Sequence, residues 1–336
     1  MKQSDEIISG TPLAAEFDDG PDAELEAESR ALEVTPELHG RRLDLALVEL
    51  VPEFSRSYLQ QLIDAGLVRI NGVVAAKPSA RVKAGDRGVI ELRPTPQSQA
   101  FKPETMPLDV VFRDDHLMVI NKPPGMVVHP APGNWSGTLL NGLLAADAQA
   151  AALPRAGIVH RLDKDTSGLM VVARARASMD ALVQMIAARD VSRQYLALTA
   201  KPWVGPARRE VDVPIGRDPR NRLRMAVVDL ARTAGKAAHT SIELLDTSSM
   251  ASLVRCTLHT GRTHQIRVHM ASIGFALVAD TLYGGVPAGG MTRQALHARR
   301  LAFTHPVSGK EMVFQAPLPQ DIRGAVGQLS LRYNET

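Results

Sequence analysis

The densest group of charged side chains in this sequence lies at residues 160–165, which read His-Arg-Leu-Asp-Lys-Asp. The apolar run at 169–173 follows, and it predicts a buried strand. Charges at the start of a core strand lose hydration, so they should pair with one another or take part in chemistry. A carboxylate in such a place can act as a nucleophile or as a base. A solvated turn with incidental ion pairs is the alternative, and it would be preferred for an isolated Asp-X-Asp.

Three further segments join polar groups to apolar runs. The strand pattern at 117–121 stops at Lys-Pro-Pro-Gly, because proline removes a sheet donor and glycine permits a turn. Residues 192–198, Ser-Arg-Gln-Tyr-Leu-Ala-Leu, form a strand pattern that contains Tyr195. Residues 258–270, Leu-His-Thr-Gly-Arg-Thr-His-Gln-Ile-Arg-Val-His-Met, end in a helix whose apolar members imply that Arg267 is partly buried.

In their order and spacing these four segments resemble the motifs of the RluA branch of pseudouridine synthases, across residues 107–319. The resemblance implies an isomerase that breaks the bond between ribose C1′ and uracil N1, turns the base and rejoins it through C5. It assigns Asp163 as the catalytic residue, acting as nucleophile or base. It assigns Arg267 as the cation that pairs with Asp163, and Tyr195 as the ring that stacks on the displaced uracil. No cofactor is implied.

The resemblance also implies how RNA is held beside this site. Arg161 is expected to fill the space that the base vacates, and Arg262 is expected to contact phosphate. Lys122 and His264 are also counted among the RNA-binding residues, and Lys122 is expected to order the first motif near the cleft. His264 and His269 are five residues apart, which is not the spacing of a helical zinc pair. We therefore expect no metal site, and polar contacts within the motifs are the expected role of the histidines.

Residues 39–92 have a different pattern of short elements. The predicted elements are helices at 43–51 and 56–64, strands at 67–70 and 89–92, and a turn at Asn71-Gly72. Ser55 is expected to cap the second helix. This arrangement resembles the S4 RNA-binding fold, and the resemblance assigns phosphate contacts to Arg42, Arg56 and Arg69. A solvated charged face is the alternative for any one of these arginines.

The predicted architecture is α+β, with a small S4-type α/β domain followed by a pseudouridine synthase domain. The latter is expected to be a mixed, mainly antiparallel sheet with flanking helices and loops. The predicted boundaries are an acidic disordered tail at 1–35, the S4 domain at 36–93, a linker at 94–102, the catalytic domain at 103–325 and a C-terminal tail at 326–336. The arginine-rich stretch 208–236 is predicted as a loop that grips the RNA stem, and 295–314 as a hairpin.

Composition sets broad limits on function. Hydrophobic residues make up 45% and charged residues 22%, as in soluble globular proteins, and no apolar run approaches a membrane span. The only cysteine, Cys256, lies in an apolar run and is predicted to be buried, which fits a cytoplasmic protein. Residues 1–30 carry a net charge of −7 and the remaining residues +10, so the body of the chain suits a polyanionic partner.

The segments 141–144, 154–163 and 293–298 are most similar to family members that modify the helix 69 stem-loop of 23S rRNA. The expected partner is therefore 23S rRNA or a large-subunit assembly intermediate, with no membrane, no small-molecule cofactor and a monomeric protein. One alternative is a related enzyme acting on other 23S uridines or on tRNA. Another is a ribosome-assembly factor with an inert synthase domain, although the catalytic trio argues against inertness. A hydrolytic nuclease is disfavoured because no carboxylate cluster for divalent metal accompanies Asp163.

Overall fold

The computed structural model describes residues 28–92, 100–131, 134–221 and 224–334. Two compact units make up the chain, and the boundary between them follows Thr95. The predicted acidic tail up to residue 27 and the predicted linker up to residue 99 lie outside the described residues. None of the helices in the described ranges is long and apolar enough to cross a membrane.

The first unit is an antiparallel sheet packed against two short helices. Its elements are β1 (Glu28–Glu33), α1 (Leu43–Leu50), α2 (Arg56–Asp64), β2 (Val68–Ile70), β3 (Val73–Val74) and β4 (Arg87–Leu92). The strand order is β1-β4-β2-β3. The backbone N–H of Tyr58 donates to the Ser55 hydroxyl at 3.3 Å, which confirms the predicted cap. Asn71 and Gly72 both have positive φ, as the predicted hairpin turn between β2 and β3 requires.

Strand β1 corrects the predicted extent of the acidic tail. Residues 28–33 pair along their whole length with β4, and Leu32 and Val34 are buried in the core of this unit. The high negative charge up to residue 30 hid a short apolar alternation that follows it. Burial of these two side chains offsets the entropy of ordering the strand.

The second unit contains the longer elements. Its strands are β5 (Val110–Arg113), β6 (Leu117–Lys122), β7 (Ser167–Ala173), β8 (Ser192–Thr199), β9 (Arg208–Asp212), β10 (Ile215–Arg217), β11 (Met225–Val227), β12 (Gly235–Lys236), β13 (His239–Thr247), β14 (Ser252–Leu258), β15 (Leu296–Thr304) and β16 (Glu311–Gln315). Its helices are α3 (Leu139–Ala146), α4 (Arg176–Ala188), α5 (Gln265–Ser272) and α6 (Gln320–Gln328).

The main sheet of this unit runs β5-β6-β7-β15-β8-β14-β13-β9, and β16 pairs with β15. The β7–β15 pair is parallel, and the other described pairs of this sheet are antiparallel. The predicted mixed, mainly antiparallel sheet is therefore confirmed. At the parallel pair a Cβ on Gly168 would lie 2.3 Å from the backbone oxygen of Ala298, so the close approach of β7 to β15 requires glycine.

The two faces of the sheet bury different clusters, because side chains alternate along each strand. Leu182 of α4 packs on one face with Leu117 and Val171. The other face carries Tyr195 together with side chains from α3 and α5. Tyr195 and the residues that end β14 therefore lie on the same side of the sheet, and this side carries the candidate site.

Two parts of the second unit differ from the prediction. The stretch 208–236 is not a single loop, since it contains β9 to β12 and buries Val211 and Ile215. Its many arginines masked these short apolar strands. At the C-terminus, α6 extends past residue 325, and Leu329 and Leu331 are buried with Ile322, so residues 326–331 belong to the core rather than to a tail. The predicted hairpin at 295–314 is confirmed by β15 and β16.

Candidate active site

An open cleft of about 630 Å³ lies on the Tyr195 side of the main sheet. Most of its lining comes from three of the segments that were singled out in the sequence, at 158–166, 193–195 and 258–267. These segments are more than 25 residues apart along the chain and meet because their strands belong to one sheet. The fold therefore brings the predicted catalytic residues together in one concave site.

Asp163 and Arg267 form an ion pair inside this cleft. The Nη1 atom of Arg267 donates to Oδ2 of Asp163 at 3.1 Å. The Arg267 side chain is 8% exposed and the Asp163 side chain 17% exposed. The pair therefore remains partly shielded from water, where a charge-assisted hydrogen bond holds its geometry more firmly than on an open surface. This placement agrees with the pairing that the resemblance implied.

Asp280 fixes the other side of the Arg267 guanidinium. The Nε and Nη2 atoms of Arg267 each donate to an Asp280 carboxylate oxygen at 2.8 Å, which makes a bidentate pair. The Tyr283 ring lies under the same guanidinium, 4.9 Å from its Cζ atom. Burial acts against the charge, but the hydrogen bonds and charges of Asp280 and Asp163 outweigh it and raise the pKa of Arg267. Arg267 is therefore a fixed cation whose Nη1 atom is directed at Asp163.

A second contact chain reaches Asp163 through His264 and Tyr283. The Tyr283 hydroxyl accepts the backbone N–H of Met225 at 2.9 Å and lies 2.7 Å from Nδ1 of His264. Burial lowers the pKa of His264, so the ring is neutral at pH 7 and Nδ1 can accept the tyrosine proton. The Nε2 atom then carries the hydrogen and faces Oδ1 of Asp163 at 3.9 Å. His264 therefore belongs to the surroundings of the Asp163 carboxylate.

The loop that carries Asp163 is held by cations that bind its backbone. Lys122 donates from Nζ to the carbonyl oxygen of Lys164 at 2.9 Å, and it also donates to two carbonyls of its own motif. Arg293 donates from Nη1 to the carbonyl oxygen of Asp165 at 2.8 Å. These contacts fix the turn at 163–166 on both sides, and they position Asp163 relative to Arg267.

Lys122 requires a correction. Its side chain is completely buried, and burial lowers its pKa to about 7. It cannot reach RNA phosphate from there, so its place among the RNA-binding residues was wrong. Its expected role in ordering the first motif agrees with the three carbonyl contacts. The sequence pattern could not show burial, because the lysine ends a strand next to a proline turn that is usually exposed.

Tyr195 lies in the cleft wall with 5% of its surface exposed. Burial raises the pKa of its phenol to about 12, so the hydroxyl keeps its proton at pH 7. A neutral aromatic side chain that lines a cleft can stack on a base that has left the RNA helix. The resemblance assigned this stacking role to Tyr195, and the role stays a prediction.

The predicted RNA-binding arginines fall into two groups. Arg161 and Arg262 line the cleft, and Nε of Arg262 donates to the carbonyl of Ala237 at 3.0 Å. Arg42, Arg56 and Arg69 lie in the first unit. Arg42 and Arg56 flank the buried carboxylate of Asp44, at 3.0 and 2.8 Å, and about half of each arginine side chain remains exposed. Arg69 is exposed on β2.

His160, His239 and His259 make polar contacts with neighbouring groups. His160 accepts the backbone N–H of Val171 at 3.0 Å, and burial lowers its pKa to about 3, so it stays neutral. Among the described residues, one group of side chains could offer ligand atoms to a metal ion. Its members are Glu210, His239 and His259, whose carboxylate oxygen and ring nitrogens lie within 4.8 Å of one another. His239 Nε2 lies 2.8 Å from the Glu210 carboxylate and is bonded to it directly. The Ser241 hydroxyl donates to Glu210 at 2.7 Å and lies 2.6 Å from Nε2 of His259, so it links these two groups.

The sequence analysis missed Asp280 and Tyr283. Asp280 is 1% exposed and follows an apolar run, which is the kind of position where a carboxylate must have a partner. A search for buried carboxylates after apolar runs would have found Asp280, but its partner Arg267 is identified only by the fold.

Comparison with known proteins identifies the family of this chain. Residues 116–272 match the family model for RNA pseudouridylate synthases, and residues 41–87 match the S4 domain. The chain therefore belongs to the RluA-family pseudouridine synthases that carry an S4 domain. It is an RNA pseudouridine synthase, which is an isomerase, and all of the predicted catalytic trio lies within the matched synthase segment.

The relatives cover nearly the whole chain. A protein of Neisseria meningitidis serogroup B called "Ribosomal large subunit pseudouridine synthase D" is 46% identical over 318 residues, which are 91% of this chain and 83% of that protein. A protein of Xanthomonas campestris with the same name is 44% identical, over 91% of this chain and 94% of its own length. The solved structure of human RNA pseudouridylate synthase domain containing 1 has a TM-score of 0.51 at 26% identity, and it covers 65% of this chain and 86% of its own.

Proposed function

We propose that this enzyme converts specific uridines of 23S ribosomal RNA into pseudouridine, at the helix 69 stem-loop. The relatives at 44–46% identity carry the name of a large-subunit ribosomal RNA pseudouridine synthase, and they align over most of both chains. The observation that carries the chemical part of the proposal is the Asp163–Arg267 pair at 3.1 Å beside Tyr195. We also propose that the enzyme acts in the cytoplasm, as a monomer and without a cofactor.

The proposed reaction begins with a uridine that leaves the RNA stack and enters the cleft. Tyr195 offers a neutral ring that offsets part of the lost base stacking. Arg161, exposed at the mouth of the cleft, takes the space that the base has left. Stacking and phosphate contacts together provide the free energy that extrudes the base, since unstacking costs a few kcal/mol.

Asp163 then acts on the nucleotide as nucleophile or base. The bond between C1′ and N1 breaks, the uracil turns, and a new bond forms between C1′ and C5. The proton on C5 is lost and N1 gains one, so that no atom enters or leaves in net. The fixed Arg267 cation keeps the carboxylate oriented throughout, and the bidentate bond to Asp280 prevents Arg267 from following Asp163 when substrate arrives.

RNA affinity is proposed to come from both units. Arg42, Arg56 and Arg69 of the S4 domain and Arg262 of the cleft are basic groups suited to phosphate. Asp44 holds Arg42 and Arg56 through their inner edges, so that each guanidinium is oriented while its outer part stays accessible. Oriented arginines lose less side-chain entropy on binding than free ones.

The test is pseudouridine mapping by carbodiimide chemistry on rRNA and tRNA from cells with and without this gene. We expect the helix 69 signals to disappear on deletion and to return when the gene is restored. Loss of signal at other 23S positions or in tRNA, with helix 69 unchanged, would refute the proposed target. The proposed reaction would be refuted if deletion left every pseudouridine in place and the purified enzyme formed no product on a helix 69 stem-loop.

A further inference from the structure

Arg193 is a buried arginine in the central part of the main sheet. It lies on β8, where it pairs with Leu258 of β14 on one side and with Leu301 of β15 on the other. Only 5% of its surface is exposed. It is two residues before Tyr195, so the two side chains share one face of the strand. A charged side chain at a core position of a central strand is rare unless it is paired or used.

No partner within the described ranges explains the burial of Arg193. Its Nε atom is buried without a hydrogen-bond partner, and among the described residues no hydrogen bond or ion pair to its guanidinium is found. The other arginine that is buried in the described part of this unit, Arg267, is paired with Asp280 and Asp163. Arg174, which is partly buried, is paired with Asp147. An unpaired buried cation costs several kcal/mol of hydration free energy. Such a cost is retained where a ligand supplies the missing partner.

The guanidinium borders the catalytic cleft. Arg193 lines this cleft together with Tyr195 and His160. A Cβ added to Gly261 would lie 2.9 Å from Nη1 of Arg193, so the guanidinium sits against the backbone of the turn between β14 and α5. The nearby carboxylate of Asp163 is already bonded to Arg267. The position therefore offers a fixed positive charge, within the cleft, to a group that is not part of the protein.

We propose that Arg193 binds a backbone phosphate next to the target uridine and thereby positions the flipped nucleotide against Asp163. The inference rests on the proposed function, since it assumes an RNA substrate in this cleft. A phosphate fits better than a uracil carbonyl, because a neutral carbonyl would leave the buried charge uncompensated whereas a phosphodiester neutralises it. The phosphates flanking the uridine must also enter with its ribose, and there they would be repelled by Asp163 without a cation.

The experiment is a double-mutant cycle between protein and RNA. Binding is measured in an Asp163→Asn background, so that turnover does not interfere, with the stem-loop whose uridine the mapping experiment identifies. One RNA is unmodified, and two others carry a neutral methylphosphonate at the phosphate on one or the other side of that uridine. The proteins compared carry Arg193, Arg193→Met or Arg193→Lys. The control is Arg176→Met, on the exposed side of α4, where Arg176 pairs with Asp180.

We expect one methylphosphonate to weaken binding to the Arg193 protein by about 10- to 100-fold, the range for a charge-assisted hydrogen bond. The Arg193→Met protein should bind this modified RNA almost as tightly as the unmodified RNA, because its phosphate contact is already lost. Arg193→Lys should retain part of the difference in affinity between the unmodified and the modified RNA. Arg176→Met should show the same difference as the protein that carries Arg193. The proposal would be overturned if each modified RNA weakened binding to the Arg193 protein and to the Arg193→Met protein by the same factor.

Stability provides a second, independent readout. Methionine fills a similar volume without a buried charge, so Arg193→Met should melt at the same temperature as the wild type or higher. A marked fall in melting temperature would mean that Arg193 is a structural residue, and would also overturn the proposal. The proposed function is tested separately by pseudouridine yield from wild-type enzyme. Methylphosphonate coupling without any product would support the phosphate site while refuting the reaction.

Discussion

Replacing Asp280 by asparagine should reveal how Arg267 is held. Asp280 accepts two hydrogen bonds of 2.8 Å from Arg267, and its side chain is 1% exposed. The Asp280→Asn side chain has nearly the same shape but no charge, and it presents one acceptor where the carboxylate presents two. Arg267 would then have Asp163 as its single carboxylate partner. We expect the guanidinium to move towards Asp163 and to draw the catalytic carboxylate out of its working position.

The magnitude follows from the burial of the pair. Breaking a buried ion pair by removal of one partner costs about 3–5 kcal/mol. Arg267 keeps Asp163, so we expect the lower end, about 3 kcal/mol. For a unit of this size about 1 kcal/mol corresponds to about 2–4 °C, which gives a fall in Tm of about 6–12 °C. A displacement of about 1 Å at a catalytic group can cost about 100-fold, so kcat should fall by about 10- to 100-fold.

The assay combines thermal unfolding of the full chain with single-turnover pseudouridine formation on the stem-loop substrate. Asp180→Asn is the matched control, because it removes the charge from an exposed ion pair and should change stability by less than about 0.5 kcal/mol. KM should change less than kcat, since Asp280 is buried behind Arg267 rather than in contact with RNA. A Tm within about 2 °C of the wild type together with wild-type kcat would refute the role given to Asp280.

Three further outcomes are expected. Burial lowers the pKa of His297 to about 4 from its usual 6.5, so the unfolded chain binds a proton between these values that the folded chain does not. His297 should therefore lower the free energy of unfolding by up to about 3 kcal/mol between pH 6.5 and 4, and His297→Gln should remove this part of the fall that a urea-unfolding series measures. Exhaustive EDTA treatment should leave turnover unchanged, and a strict need for zinc or magnesium with a prefolded short RNA would contradict the proposed chemistry. Arg69→Gln should reduce the slope of log Kd against log salt by about one, measured by filter binding, and an unchanged slope would contradict its phosphate contact.

The sequence predicted best where local chemistry determines the structure. Ser55, Asn71 and Gly72 are residues whose side chains or backbone preferences define a cap and a turn, and each was placed correctly. The strand at 169–173 was found because it is buried on both faces and therefore continuously apolar. Such signals depend on a few neighbouring residues and need no knowledge of distant ones.

The sequence failed where burial depends on distant partners. Lys122 has the composition of a surface residue, yet its ammonium is buried because carbonyls from its own turn and from the Asp163 loop surround it. The arginines of 208–236 suggested a loop, although Val211 lies in β9, which pairs with β13, and Ile215 lies in β10, which pairs with β11 and β12. Asp280 and Arg193 illustrate the same point, since the burial of each depends on strands or turns far away in the chain.

The central claim is that Asp163, held by Arg267, performs the isomerisation. The most direct measurement is the yield of pseudouridine from Asp163→Asn enzyme on the helix 69 stem-loop, with its RNA affinity measured in parallel. The substitution keeps the size of the side chain and removes its charge. We expect no pseudouridine above background and a Kd close to that of the wild type. Product formed at the wild-type rate by this variant would contradict the account.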